Sequence, residues 1–199
     1  MKDRKREIIQ ATLELAAENG LGTVSMQQIA DRVGITKASL YNHYSSREEI
    51  VEAMYEVLRN ISKEKANVGG MDFDRLTGSL RDILMGAVMS YRSMVENPQL
   101  FLFYKIIMSE RSINPKAADI MVRETKTMLN ATKSIFYALQ VKGIADFPNP
   151  DAAAFSFTMA VHAIMDYEFD RRFAGEEADE NMMQSYIDEF CRIYEKHAS

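Results

Sequence analysis

The chain of 199 residues has one cysteine, Cys191, which excludes an intrachain disulfide and fits the reducing cytoplasm. Tryptophan is absent, and only 4 Pro and 9 Gly occur, set at intervals. No apolar run approaches the ~20 residues that cross a bilayer, so no membrane partner is expected. The basic start Met1-Lys2-Asp3-Arg4-Lys5-Arg6-Glu7 leads into no apolar stretch of the signal-peptide kind. Period-two alternation of useful length is missing, as is any internal repeat, which removes sheets and solenoids. Also missing are GxSxG, Walker A, GxGxxG and HExxH motifs and any Cys/His cluster. No enzyme, cofactor or metal is expected.

What is present is a chain that is 47% hydrophobic and 27% charged, enough for one or two units with a real core. The net charge of −5 is unevenly spread. Residues 1–47 hold seven Lys/Arg against five Asp/Glu, a net +2, and the remaining 17 and 24 give −7. A mildly basic N-terminal part on an acidic body points to a polyanion contact at that end.

Helical periodicity fills the space between the breakers. Asn97-Pro98, Asn114-Pro115 and Asn149-Pro150 mark helix starts. In each, Asn caps free N–H groups and Pro takes the first helical position, where its missing N–H costs nothing. Gly143 and Gly175 follow long periodic runs and mark stops. The pattern predicts an all-α protein of about nine helices, over 3–19, 26–33, 37–43, 46–66, 73–96, 98–111, 115–142, 150–174 and 179–196. Residues 67–71, Asn-Val-Gly-Gly-Met, are the most linker-like. Ile50, Met54, Leu58 and Ile61 carry one apolar stripe along the fourth helix.

The informative segment is Thr23–Arg47, TVSMQQIADRVGITKASLYNHYSSR. Ser25 and Gln28 form a capping box that starts a helix at Met26. Ile29, Ala30 and Val33 give it an inward face, and Gly34 suits a left-handed stop. Ile35 is a plug in the turn, Thr36 caps the next helix, and Leu40 faces inward. Ser45 with Glu48, or Ser46 with Glu49, caps the fourth helix. Two short helices joined by a tight Gly turn are a helix-turn-helix, whose second helix enters the major groove. Its outward residues, Lys37, Ala38, Ser39, Asn42 and His43, are short or hydrogen-bonding, as base edges and phosphates require. Of the two tyrosines, Tyr44 is expected in the core and Tyr41 outside. Lys2, Arg4, Lys5 and Arg6 are either a solvated end or an arm on the DNA backbone.

The run from Ile29 to Ile50, with IA-x-x-x-GITKASLYNHYSSREEI spacing, resembles the DNA-binding domain of the TetR family over the first quarter of the chain. The resemblance implies a three-helix DNA-binding domain at 1–47 and a helical ligand-binding and dimerisation bundle at 48–199. It assigns Tyr41, His43 and Arg47 to phosphates and Lys37, Ala38, Ser39 and Asn42 to the recognition helix. Gln27 matches a position that reaches a base, and Ser25 one that touches the backbone. Asn42 departs from the family, which often has an aromatic or bulky residue there, and this leaves the base preference open. The resemblance also implies a homodimer on a palindromic double-stranded operator, with repression relieved by a small-molecule effector. The alternative class is a helical ligand-binding or adaptor protein without effector-controlled DNA release.

The C-terminal part is rich in Met and aromatics, with 14 Met, 10 Phe and 9 Tyr in the chain. Such side chains suit either an adaptable apolar pocket or irregular core filling. Helix faces nominate Met85, Met89, Phe103, Met108, Met128, Phe136 and His162 as lining residues for a largely apolar or aromatic effector, with Asp166 four residues beyond His162 on the same face. Two such groups do not make a metal site. The eighth and ninth helices carry more apolar residues than one face buries, which predicts a four-helix dimer interface using Phe157, Val161, Met183, Tyr186, Ile187, Phe190 and Tyr194.

Overall fold

A computed structural model of the chain describes residues 2–66, 77–95, 97–177 and 179–196. The described chain is built of helices: α1 Lys2–Asn19, a single 3₁₀ turn at Leu21–Thr23, α2 Met26–Val33, α3 Lys37–Tyr41, α4 Arg47–Ala66, α5 Leu80–Val95, α6 Pro98–Glu110, α7 Pro115–Val141, α8 Pro150–Phe173 and α9 Glu180–Tyr194. Among the described residues the sole extended pairing is an isolated antiparallel bridge between Ala145 and Glu195. The linker-like stretch 67–71 and the expected helix start at 73 lie outside the described residues, as do the side chains of Leu58 and Ile61.

Local chemistry accounts for most boundaries. Asn97 accepts the N–H groups of Gln99 and Leu100, Asn114 those of Lys116 and Ala117, and Asn149 that of Ala152. Each Asn thus satisfies donors that the first turn leaves unpaired. Gly143 and Gly175 stop α7 and α8 with φ of 70° and 83°, a left-handed conformation that only glycine adopts cheaply. The fifth helix is a correction: residues 77–79 are not helical and α5 begins at Leu80. Ser79 is its cap, accepting the Asp82 N–H at 3.1 Å, while Asp82 takes back the Ser79 hydroxyl at 2.7 Å. This reciprocal box sets the start more sharply than the apolar periodicity upstream.

The chain forms two compact units, one of Met1–Gly69 with Ser93–Arg123, the other of Gly70–Arg92 with Glu124–Ser199. In the first, Ile8, Leu13, Leu21, Ile29, Leu40, Tyr44, Ile50 and Met54 share a core with Phe103, Ile107 and Ile120. In the second, the core is aromatic. Phe136 stacks on Phe147 at 4.4 Å, and Phe157 meets Phe190 edge-on at 4.9 Å. The Asp146 N–H donates to Tyr194 O at 2.9 Å and closes the end of α9 onto the α7–α8 connection.

Candidate nucleic-acid interface

The α2–α3 segment is assembled by its own caps. Ser25 Oγ accepts the Gln28 N–H, and Gln28 Oε1 accepts the Ser25 N–H at 2.8 Å. Gly34, at φ 74°, ends α2, and its N–H donates to Asp31 O. Ile35 packs on the core of its unit, and Thr36 accepts the Ser39 N–H at 3.1 Å. Of the two capping schemes for α4, Ser46 is the cap: its Oγ accepts the Glu49 N–H, and the Glu49 carboxylate reaches back to the N–H and hydroxyl of Ser45. Those two bonds hold the Glu49 carboxyl below the usual carboxylate range.

Inward and outward sides are cleanly divided. Leu40 is fully buried and anchors α3. The helix ends at Tyr41, and the chain turns over Asn42 and His43, whose N–H groups donate back to Ala38 O and Leu40 O. The turn places Tyr41 outside, 47% exposed, and Tyr44 inside at 4%. Burial pushes the Tyr44 phenol above its usual range, and Lys5 Nζ lies 5.0 Å from its ring centre. Lys37, Ala38 and Asn42 are exposed, and Ser39 and His43 half-buried. Ser25 and Gln27 are exposed on α2, and Gln27 donates to Asp31 at 2.8 Å. The basic N-terminal residues belong to α1 rather than to an extended arm, and Arg4 pairs with Glu7 one turn on.

Arg47 is turned inward. Its Nη1 donates to the carbonyls of Leu21, Gly22 and Val24 at 3.2, 3.0 and 3.2 Å, and Nη2 pairs with Glu48. A lone 3₁₀ turn leaves carbonyls that no helix satisfies, and the guanidinium supplies their donors. On α6, Glu110 accepts the Gly22 N–H at 3.3 Å. The turn leading into α2 is therefore held by a cation and an anion from distant parts of the chain. Sequence reasoning missed Glu110; its one signal is an acid three residues past Ile107 on an apolar face.

The other candidate residues fall as follows. Phe103 is buried in the first unit, to which half-buried Met108 also belongs. Met85, Met89, Met128, Phe136, His162 and Asp166 belong to the second. Phe136 is wholly buried in the aromatic core, and Met89 is 54% exposed. Of the residues expected between protomers, Phe157, Val161, Met183, Ile187 and Phe190 are buried within the chain's own bundle, because α8 and α9 pack on each other. Tyr186 and Tyr194 are half-buried, and burial pushes the Tyr186 phenol up to about 12. Phe155, Tyr167, Phe173 and Ile193 are the large apolar side chains left exposed on α8 and α9. Among the described residues no three His, Cys, Asp or Glu side chains converge as a metal site, and no helix is long and apolar enough to cross a membrane.

A capped helix, a glycine turn and a second helix seated by one leucine define a helix-turn-helix protein. The family model described as bacterial regulatory proteins, tetR family, matches residues 8–54. The chain is 40% identical over 57 residues to the HTH-type transcriptional repressor KstR2 of Mycolicibacterium smegmatis, covering 29% of this chain and 26% of that protein. The match thus spans about a quarter of that relative's length. Over nearly the whole chain the fold is similar to that of a Mesorhizobium loti protein assigned to the TetR family, with TM-score 0.69, 16% identity and 98% of both chains covered. It is also similar to that of SmeT in its triclosan complex, with TM-score 0.76, 14% identity and coverage of 98% of this chain and 93% of that one. Residues 8–54 are thus similar to the TetR family's N-terminal region, and the fold is similar to that of proteins assigned to that family.

Proposed function

We propose that the protein is a transcriptional repressor that binds a palindromic operator as a homodimer and leaves it when a small, largely apolar or aromatic effector binds. The observation that carries the reading is the outward face of α3. Lys37 and Ala38 stand exposed beside Tyr41 on a helix fixed from below by Leu40 and from its start by Thr36, with Asn42 exposed just past its end. Short and hydrogen-bonding side chains suit base edges, and the Tyr41 hydroxyl and His43 suit phosphates. Arg47 is occupied within the fold, so its part is to hold the approach to α2.

Dimerisation is supported by the exposed apolar residues Phe155, Tyr167, Phe173 and Ile193 on α8 and α9. Effector control is supported by the Met- and Phe-rich bundle beyond residue 48 and by the triclosan complex of SmeT, a protein of like fold. The test is selection from random duplex DNA followed by titration at several salt concentrations. A palindromic consensus, bound with a steep negative dependence of affinity on salt, is the expected result. Retention of no sequence, with no salt dependence, would overturn the reading.

A further inference from the structure

The first unit holds an open cleft of about 940 Å³ between α1, α2, α4 and the start of α6. That volume lies within the range of small-molecule sites, about 300–1,000 Å³. Val33 of α2 and Val57 of α4 line it half-buried, together with the buried Ile9 and Leu13 of α1. Four charged side chains line the same cleft, and the chain itself answers three of them. Glu7 pairs with Arg4 at 2.5 Å. Glu14 accepts from Gln10 at 2.9 Å and from Arg32 at 3.5 Å, and Arg32 also pairs with Glu18 at 2.8 Å. Arg6 is the fourth. It is exposed, and its guanidinium bonds to no carboxylate or carbonyl among the described residues. Lys5 beside it is directed to the Tyr44 ring. The exposed Asn60 carboxamide of α4 also lines the cleft and has no partner among the described residues. Exposed donors such as these exchange water for an anion without the desolvation cost of a buried group.

We propose that this cleft is a ligand site within the unit that carries the helix-turn-helix, and that it takes an amphipathic monoanion: a carboxylate on Arg6 and an unbranched aliphatic tail along Val33, Val57 and the α1 wall. Charge selects the head group. A carboxylate meets a planar guanidinium through parallel N–H donors, a geometry that fixes orientation as well as adding attraction. The segment 1–47, which supplies most of the lining, carries a net +2. An ammonium would be repelled by Arg6, while Glu7 and Glu14 are already engaged. A neutral hydroxyl would gain a bond without the charge. The site stands apart from the effector reading above, whose candidates Phe136, His162 and Asp166 belong to the second unit.

Calorimetric titration of the intact protein at neutral pH with octanoate, octan-1-ol, octylamine and decanoate tests this, with backbone amide shifts locating the bound probe. Octanoate should bind about three- to ten-fold more tightly than octan-1-ol, the gain of a partly exposed bidentate ion pair, and octylamine should bind more weakly than either. Decanoate should bind about four- to fifteen-fold more tightly than octanoate, as two methylenes do at half to full burial. The shifts should cluster on α1 and α4, around Gln10 and Val57. Arg6→Gln, a change at an exposed helix position, should bring octanoate to within about two-fold of octan-1-ol and leave octan-1-ol unchanged. Equal binding of acid and alcohol, a preference for the amine, or an acid preference that survives Arg6→Gln would overturn the site. So would binding of none of the probes. Shifts confined to the second unit would overturn the cleft and leave the effector reading standing.

Discussion

Tyr41 and Tyr44 stand three residues apart, a spacing that places two side chains on one face of a continuous helix. The helix stops between them, and one phenol goes to solvent while the other goes to the core. Tyr41→Ala should leave the urea midpoint nearly unchanged and weaken binding to all duplex sequences in gel-shift titrations. Tyr44→Ala removes a buried aromatic and should lower stability by about 3–5 kcal/mol. Lys37→Ala and Asn42→Ala should weaken binding and also flatten base preference, as judged by competition between selected and random DNA. Arg47 stands at a motif position expected to meet a phosphate, and within the fold its guanidinium also bonds three carbonyls that lie 23 to 26 residues earlier in the chain. Arg47→Ala should therefore lower the unfolding free energy by about 1.5–3 kcal/mol even without DNA, the range for hydrogen bonds to a charged group.

At the scale of elements, the helix boundaries follow from bonds closed within three or four residues. Ser25→Ala breaks the box that starts α2 and should cost about 1 kcal/mol in denaturant unfolding. The link between α4 and α7 is of another kind. Glu52 receives both Nη atoms of Arg123 at 2.7 and 3.0 Å and also pairs with Lys116, while Arg123 stacks on the Tyr55 ring at 4.5 Å. The Arg123 bond, then that of Lys116, hold the Glu52 carboxyl below its ordinary 4.5. A carboxylate depressed on folding contributes stability above its unfolded value and loses it as pH falls through the folded one. The contribution is thus full at neutral pH and fades below about pH 4.5. Glu52→Gln should lower stability at pH 7 by about 1 kcal/mol or less, since the pair is partly solvated, and the difference should shrink as the pH falls below that value. Thermal unfolding across pH 3–7 at about those limits checks both sign and window.

For the whole molecule, operator recognition by a dimer requires two copies of α3 about 34–36 Å apart. Sedimentation of the protein at micromolar concentration should show a dimer. Phe155→Glu combined with Tyr167→Glu should give a folded monomer that has lost most of its operator affinity. The residues first expected at that surface illustrate what a stripe of apolar residues leaves open. Phe157 and Phe155 are equally hydrophobic and two positions apart, but Phe157 is buried against Phe190 and Phe155 is 54% exposed. The sequence alone determined the helical type of the elements, the Asn-Pro and Ser25 caps and the helix-turn-helix, because those depend on bonds closed a few residues away, whereas the Ser79 start of α5 was read only from the structure. Only the tertiary structure decided which apolar face is spent inside the chain, that Arg47 holds a turn, and that Glu110 reaches Gly22 across 88 residues. Glu168, bonded to Arg92 across 76 residues, belongs to the same group. Such contacts depend on how helices pack, and no local spacing encodes them.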